Sequence, residues 1–272
     1  ITLYPQHNYI LLANASLTNV ENFITKSLNN RCVNYTYLEW FAPCPTKENK
    51  FSIKTTKNIR SALYSYTLSS LDLDCFLITS FFEGFNDNAL VEFDYSFELP
   101  KIVTIFYDLI PLLKPKTYLD QNPFFKKFYL SKIDQLKKLD GFLAISKSSA
   151  KEASEFLNLD NTLVENISSA CDNNLFNINK KKDEENKSIN LIPLKPYLLY
   201  AGAGDSRKNL KRLVHAYSLI PINLRNKYKL VIAGRLLPFE LNDLQNFIVA
   251  NHLFKDNIKF LGYVSDEDLV SL

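Results

Sequence analysis

Four basic residues crowd the stretch YAGAGDSRKNLKRL, Tyr200 to Leu213, where an apolar run passes Gly202 and Gly204 and reaches Arg207, Lys208, Lys211 and Arg212. Such an arrangement can hold an anion. Glycine lets a ligand approach the backbone closely, N–H groups at a helix start favour phosphate, and an ammonium about one turn into the helix adds a full charge. Adjacent helical residues do not share a face. If Lys208 meets the anion, Arg207 is therefore its neighbour on the helix surface. A plain helix capped by Asp205 or Ser206 fits the same letters. Two further stretches carry polar chemistry. FFEGFNDNAL sets Glu83, Asp87 and two asparagines around Gly84, as suits a loop that binds sugar hydroxyls or a self-contained hydrogen-bonded turn. FYDLIPLLKP puts Tyr107 and Asp108 before Pro111, where one carboxylate can orient a substrate hydroxyl or cap the turn.

Other groups point to blander roles. Asp72 and Asp74, and Asp266 with Asp268, match the DxD pattern that holds a divalent metal in some sugar transferases. The first pair enters an apolar strand that reads as buried. The second opens a helix, where acids are ordinary partners of the dipole. A metal site is not expected from either. His215 falls inside a helix and His252 near the end of one, positions that suit packing or surface, and His7 lies near the start of the chain. Nothing recommends a Ser-His-Asp hydrolase.

The elements that must position these groups follow a repeating pattern. YLLYAG, KLVIAG and IKFLG read as buried strands. The helices between them are SRKNLKRLVHAYSLI, with Leu210, Leu213, Val214 and Tyr217 at three-and-four spacing, and ELNDLQNFIVANHL. SDEDLVSL opens a further helix with Ser265 and Asp268 as a capping pair. Strands about 30 residues apart make βαβ units and a parallel sheet. Ligands of such sheets sit beyond the carboxyl ends of the strands, where YAGAGDSRKN, FFEGFNDNAL and FYDLIPLLKP fall. The first half is less regular. YILLANA, CFLITS, KIVTIFY and FLAIS read as strands. NPFFKKFYLSKIDQLKKLD reads as a helix with Phe125, Phe128, Tyr129, Ile133 and Leu136 on one face, stopped by Gly141. SSAKEASEFLNL follows with a capping box from Ser149 to Glu152. The polar stretch NINKKKDEENKSIN, Asn177 to Asn190, reads as a linker. It divides a first domain, residues 1–180, from a linker at 181–190 and a second domain at 191–272.

Bulk composition narrows the classes. At 46% hydrophobic and 13% aromatic over 272 residues the chain can build one large or two ordinary cores. A net charge of +3 from 32 basic and 29 acidic groups is too balanced for a nucleic-acid binder. The four cysteines have no CxxC spacing and there are three histidines, which argues against structural zinc. Scattered thiols suit the cytoplasm. No apolar run reaches the roughly 20 residues that span a bilayer. The chain lacks methionine altogether, and it ends mid-pattern after a helix start, as expected of a piece cut at both ends.

Taken together, YAGAGDSRKNLKRLVHAYS, KLVIAG and IKFLGYVSDEDLVSL resemble the donor half of family 4 glycosyltransferases. VTIFYDLIPLLKPKTYL and LDGFLAISKSSAKEASEFLNL through VENISSACDNNLF are similar to the acceptor half. SFFEGFNDNAL resembles a loop of a bacterial branch associated with lipopolysaccharide and O-antigen mannosyl transfer. The resemblance runs from about Phe76 onward. It implies an α/β chain of the GT-B class, two Rossmann-like domains facing a cleft, the second incomplete. It also implies a retaining transferase that moves a sugar from a GDP or UDP donor to a saccharide or lipid-linked acceptor. No cofactor or metal is implied, and no nucleic acid. A lipid-linked acceptor would bring the chain to the inner face of the plasma membrane.

The resemblance assigns Gly202 and Lys208 to the diphosphate, with Arg207 beside them. Gly234 joins the same donor side, and Gly262, Tyr263 and Val264 match the loop near the nucleobase. Glu83, Gly84, Tyr107 and Asp108 match acceptor-side positions, the last two those of catalysis. Departures are visible. Ala203 stands where many members carry an arginine, which leaves Lys208 as the one expected phosphate cation. Tyr107 stands where many carry histidine, and a phenol donates a hydrogen bond but is no base near neutral pH. The glycine-rich loop after a first strand is missing. The paired-glutamate motif E-x7-E would fall after Leu272, so the chain by itself is expected to be inactive. A non-catalytic module of the same fold, binding a sugar nucleotide or a partner without turnover, is the rival reading.

Overall fold

The structure, a computed structural model, describes residues 4, 6–15, 20–28, 34–40, 53–86, 89, 91–159, 163–171, 175, 176, 196–251, 253 and 257–272. The chain divides into two compact units, Ile1–Ser169 and Ala170–Leu272. The stretch expected as a linker, 181–190, lies outside the described residues.

In the first unit β1 (Tyr9–Asn14) and β2 (Tyr35–Trp40) pair in parallel, flanked by α1 (Val20–Leu28) and α2 (Ile53–Ser69). A second parallel set has the order β3–β4–β5–β6, built from Cys75–Ile78, Lys101–Phe106, Gly141–Ala144 and Val164–Asn166. The alternation in KIVTIF buries Ile102, Thr104 and Phe106 on one face of β4. Two short turns of helix, α3 (Ile110–Leu113) and α4 (Pro115–Tyr118), follow β4. They lead into α5 (Pro123–Leu136), and α6 (Lys147–Leu157) follows β5. Asn122 starts α5 by accepting from Phe125 N at 3.0 Å. From α5, Tyr129, Ile133 and Leu136 enter a core with Phe106, Phe142 and Leu157, each such side chain contributing about 2 kcal/mol by leaving water. Trp40, the sole tryptophan, packs on Tyr64 of α2 at 4.7 Å between ring centroids.

Three sequence expectations are corrected here. Gly141 does not stop α5. The helix ends at Leu136, and Gly141 opens β5 against Val103, where an added Cβ would touch the valine at 3.4 Å. The capping box is also displaced. Ser146, not Ser149, caps α6 by accepting from Ser149 N at 3.0 Å, and Glu152 instead accepts from Leu109 N at 3.1 Å. The glutamate is taken by a backbone donor outside its own helix, in the turn after β4. Finally, the strand entered by Asp72 and Asp74 is only partly buried, with Leu77 exposed.

The second unit is a three-stranded parallel sheet in the order β7 (Tyr197–Ala201), β8 (Lys229–Ala233), β9 (Ile258–Gly262). Its helices are α7 (Leu210–Ser218), α8 (Ile222–Lys227), α9 (Pro238–Ala250) and α10 (Asp266–Ser271). Central β8 is buried from Leu230 to Ala233, as its unbroken apolar run requires. β7, expected to be buried, leaves Leu198 and Leu199 exposed, because β8 is its only partner among the described residues. Leu210, Val214 and Tyr217 bury the inner face of α7. The Tyr217 hydroxyl lies 2.9 Å from Tyr228 O and 3.1 Å from Asn257 O, so its proton is shared between the entrances to β8 and β9. Ser265 caps α10 by accepting from Asp268 N at 3.1 Å, the pair expected from SDED.

No helix among the described residues is long and apolar enough to cross a membrane. Cys75 and Cys171 are exposed, and Cys32 and Cys44 lie outside the described residues. Replacing Ser146 with Ala is expected to lower the stability of the first unit by about 1 kcal/mol, the usual value of a helix cap. A urea titration followed by Trp40 fluorescence checks it.

Candidate functional site

A glycine stands at the carboxyl end of every strand of the second sheet. Gly202 N donates to Ala233 O at 2.9 Å and Gly234 N to Gly262 O at 2.7 Å, so the three glycines continue the ladder past the strands. Their backbones meet so closely that a Cβ on Gly234 would fall on the carbonyl of Gly202. Gly234 also has φ +141 and Gly262 φ +71, conformations that side chains rarely adopt. A Cβ on Gly202 would meet the Tyr200 hydroxyl at 3.0 Å, and that hydroxyl donates to Ala203 O at 2.9 Å. The edge is therefore bare backbone, open to a ligand. Tyr263 stands beside it, four-fifths exposed, with Val264 half-buried.

The turn after Gly204 differs from the expected helix start. Ser206–Lys208 form a 3-10 turn and Asn209 takes a left-handed conformation, φ 52 and ψ 45, so α7 begins at Leu210. Lys208 thus precedes the helix instead of lying one turn inside it. Asp205 caps the 3-10 turn and not the helix, accepting from Arg207 N at 2.9 Å. The same carboxylate receives Arg207 Nε at 2.9 Å and Nη2 at 2.7 Å. Those hydrogen bonds hold the Asp205 carboxyl below the usual carboxylate range. Arg207 is neutralised within its own turn, whereas Lys208 is exposed and forms no ion pair among the described residues. No side chain caps the first N–H groups of α7.

A cavity of about 300 Å³ lies between the starts of α7 and α9, with Gly204, Leu210, Leu236 and Phe239 in its wall. Lys208 does not line it. Asp205, Glu240 and Asp243 do, the last paired with Lys211 at 2.6 Å. Those acids disfavour a diphosphate in the cavity.

In the first unit the pairing of Ile78 with Thr104 sets the carboxyl ends of β3 and β4 side by side. The loop after β3 carries Glu83, whose Oε1 accepts from Ser80 Oγ at 2.6 Å. It also carries Gly84, with φ +99 and its missing Cβ directed at the Ala89 carbonyl. Asp87 and Asn88 lie outside the described residues. After β4, Tyr107 is half exposed and its carbonyl accepts from Ser149 Oγ at 2.6 Å. Asp108 does what the bland reading said with one oxygen, as Oδ1 accepts from Ile110 N at 3.0 Å. Its Oδ2 has no partner among the described residues. Glu83, Gly84, Tyr107 and Asp108 thus follow the strand ends of one sheet, and Gly202, Gly234, Gly262 and Tyr263 mark those of the other, with Lys208 in the turn between β7 and α7. Asp72 and Asp74 precede β3, at the opposite end from this edge. Among the described residues no three His, Cys, Asp or Glu side chains are gathered to hold a metal ion. His215 is exposed, 3.3 Å from Asn251 Oδ1, and His252 lies outside the described residues.

The sequence reading missed the roles of Ser149, Glu152 and the buried Lys132. For Lys132 a signal existed, since it falls on the apolar stripe of α5 between Phe128 and Leu136.

Residues 181–272 match the family model described as glycosyl transferases group 1. The serotype-specific mannosyltransferase WbdA of Escherichia coli is 29% identical over 233 residues, 85% of this chain and 28% of the relative. A second WbdA sequence is 28% identical over 207 residues, 75% of this chain and 25% of the relative. The chain is related in sequence to these mannosyltransferases and spans less than a third of their length. Among solved structures, Anabaena Alr3699/HepE in complex with UDP superposes with a TM-score of 0.58 at 13% identity, over 97% of this chain and 71% of that one. A glycosyltransferase from Rickettsia africae gives 0.54 at 15% identity, over 97% and 70%. These likenesses show the fold, two Rossmann-like units of the GT-B class.

Three outcomes are expected. Gly234→Ala should cost about 2–3 kcal/mol in urea unfolding of the second unit, because both φ and space forbid the methyl. Gly262→Ala, with nothing within 4 Å of its Cβ, should cost about 1 kcal/mol, from φ alone. The depressed Asp205 carboxyl contributes stability that is complete above the ordinary carboxylate value and lost as pH falls through its lower folded value. In an NMR titration the Arg207 Nε–H resonance should therefore hold its position until the pH drops below the ordinary carboxylate range.

Proposed function

We propose that the chain is part of a retaining bacterial glycosyltransferase that takes a GDP- or UDP-sugar, of the mannosyl class, and extends a saccharide or lipid-linked acceptor of a cell-surface polysaccharide. The observation that carries this is the run of backbone glycines at the strand ends of the second sheet, followed after β7 by the exposed ammonium of Lys208, which forms no ion pair among the described residues. A pyrophosphate needs donors that require no reorganisation as charge builds on the leaving group. Exposed backbone at the strand ends, the uncapped start of α7 and the Lys208 ammonium are such donors. Arg207 is drawn off by Asp205, so Lys208 answers for the loss of an arginine at Ala203. Gly262, Tyr263 and Val264 would border the nucleobase, the exposed ring of Tyr263 offering a face for stacking.

On the acceptor side, Asp108 Oδ2 would accept from the incoming hydroxyl and Glu83 would hold a neighbouring one, while Tyr107 donates a hydrogen bond. The sequence kinship with mannosyltransferases supports the sugar class. No metal takes part in this scheme, and the working place is the cytoplasmic side of the membrane. The second reading, binding without turnover, is favoured by Ala203 and by the engagement of Asp108 Oδ1 with the backbone.

Calorimetry with GDP-mannose and UDP-glucose tests the anion site. Lys208→Ala should raise the dissociation constant of the bound donor at least tenfold, about 1.4 kcal/mol. Arg207→Ala should raise it less than about threefold, since that guanidinium is already paired. Equal effects of the two changes would refute the assignment. Donor binding without transfer or hydrolysis in the longest natural form of the protein would select the second reading.

A further inference from the structure

Helix α5 does more than fill the core. Four side chains on one of its faces, Phe125, Phe128, Tyr129 and Lys132, grip the segments that follow β3. Phe82 stacks on Tyr129, with ring centroids 4.7 Å apart and planes at 10°. Phe85 meets Phe125 at 5.0 Å and Phe128 at 5.3 Å. Lys132 is 1% exposed, and its Nζ donates to Val91 O at 3.0 Å. The same ammonium lies 5.5 Å from the centroid of Phe81 and 5.4 Å from that of Phe128.

A buried ammonium is costly to desolvate, and a methionine of similar length would fill the space without that cost. What lysine adds is a directed hydrogen bond to a loop carbonyl and attraction to two ring faces. The cation therefore fixes where the loop lies, and packing alone does not require it. The held loop carries Glu83 and Gly84. Tyr129, in the same grip, also senses the neighbouring loop. Burial first, and then the Asp108 carboxylate, push its phenol above the ordinary range. One helix face thus bears on both loops of the acceptor side.

We propose that Lys132 is a positioning residue: by pinning the segments 79–86 and 91–93 to α5 it sets Glu83 in place relative to Asp108. What those carboxylates bind rests on the transferase reading above, while the clamp does not.

The test uses Lys132→Met, Lys132→Arg and Phe82→Leu. Hydrogen–deuterium exchange is read in peptides from 79–86 and 91–93 and, for comparison, from 141–157. Lys132→Met should speed exchange in the first two regions at least about fivefold and leave 141–157 within about twofold, as a local and not a global opening. Lys132→Arg should restore most of the protection. In turnover of the longest natural form of the protein with GDP-mannose and a mannose oligosaccharide, Lys132→Met should lower kcat/KM for the acceptor about tenfold or more while the donor dissociation constant stays within about twofold. Unchanged exchange overturns the proposal, as does a rise of equal size in 141–157 or an equal loss of donor and acceptor. Should Lys132→Met fail to fold, Phe82→Leu loosens the same grip from the other side and must give the same local pattern. A wild-type protein that binds no nucleotide sugar would remove the transferase reading, and exchange would still decide the clamp.

Discussion

The carbonyl of Gly202 lies where a side chain on residue 234 would have to be. That exclusion shapes the second unit beyond its core. β8 can pass β7 at this point only because residue 234 has no Cβ. The carboxyl end of the sheet is consequently lined by main chain, and the two loops stay together a little further, Gly204 N donating to Arg235 O at 3.3 Å. Tyr200, which folds its hydroxyl back to Ala203 O beneath Gly202, and Gly204, whose Cβ would strike Glu240 and Leu236, extend the same close fit into α9.

Charge is handled differently at the two sheet edges. In the second unit Arg207 is paired with Asp205 within three residues, while Lys208 stands exposed and acts on the same carboxylate through its charge alone. In the first unit the carboxylates are tied to the backbone or to hydroxyls through one oxygen, Asp108 to Ile110 N and Glu83 to Ser80 Oγ. A carboxylate half-engaged in this way has a fixed direction and a free oxygen, which suits orienting a neutral hydroxyl. The helices behind it contribute to that rigidity, as Ser149 anchors the Tyr107 carbonyl and Glu152 the Leu109 amide.

Much of this architecture was legible in the letters. KLVIAG read as a buried strand and is one, and the spacing of Leu210, Val214 and Tyr217 marked the buried side of α7. Ser265 announced its helix, because the cap and its partner are three residues apart and nothing else competes for them. The errors arose where a distant group competed. Ser149 and Glu152 had the right spacing for a cap, yet Tyr107 and Leu109, more than forty residues away in sequence, claimed them. DSRKN read as the first turn of a helix, but Asp205 turned back on Arg207 and Asn209 adopted a left-handed conformation, a local preference of asparagine that periodicity does not register. YLLYAG has the composition of a buried strand, and its exposure depends on which strands lie beside it, a property of topology that no single segment encodes.

The Tyr217 hydroxyl, set between Tyr228 O and Asn257 O, ties one helix to the entries of two neighbouring strands. Loosening α7 therefore loosens β8 and β9 with it, so helix and strands open as one cooperative unit and not piece by piece.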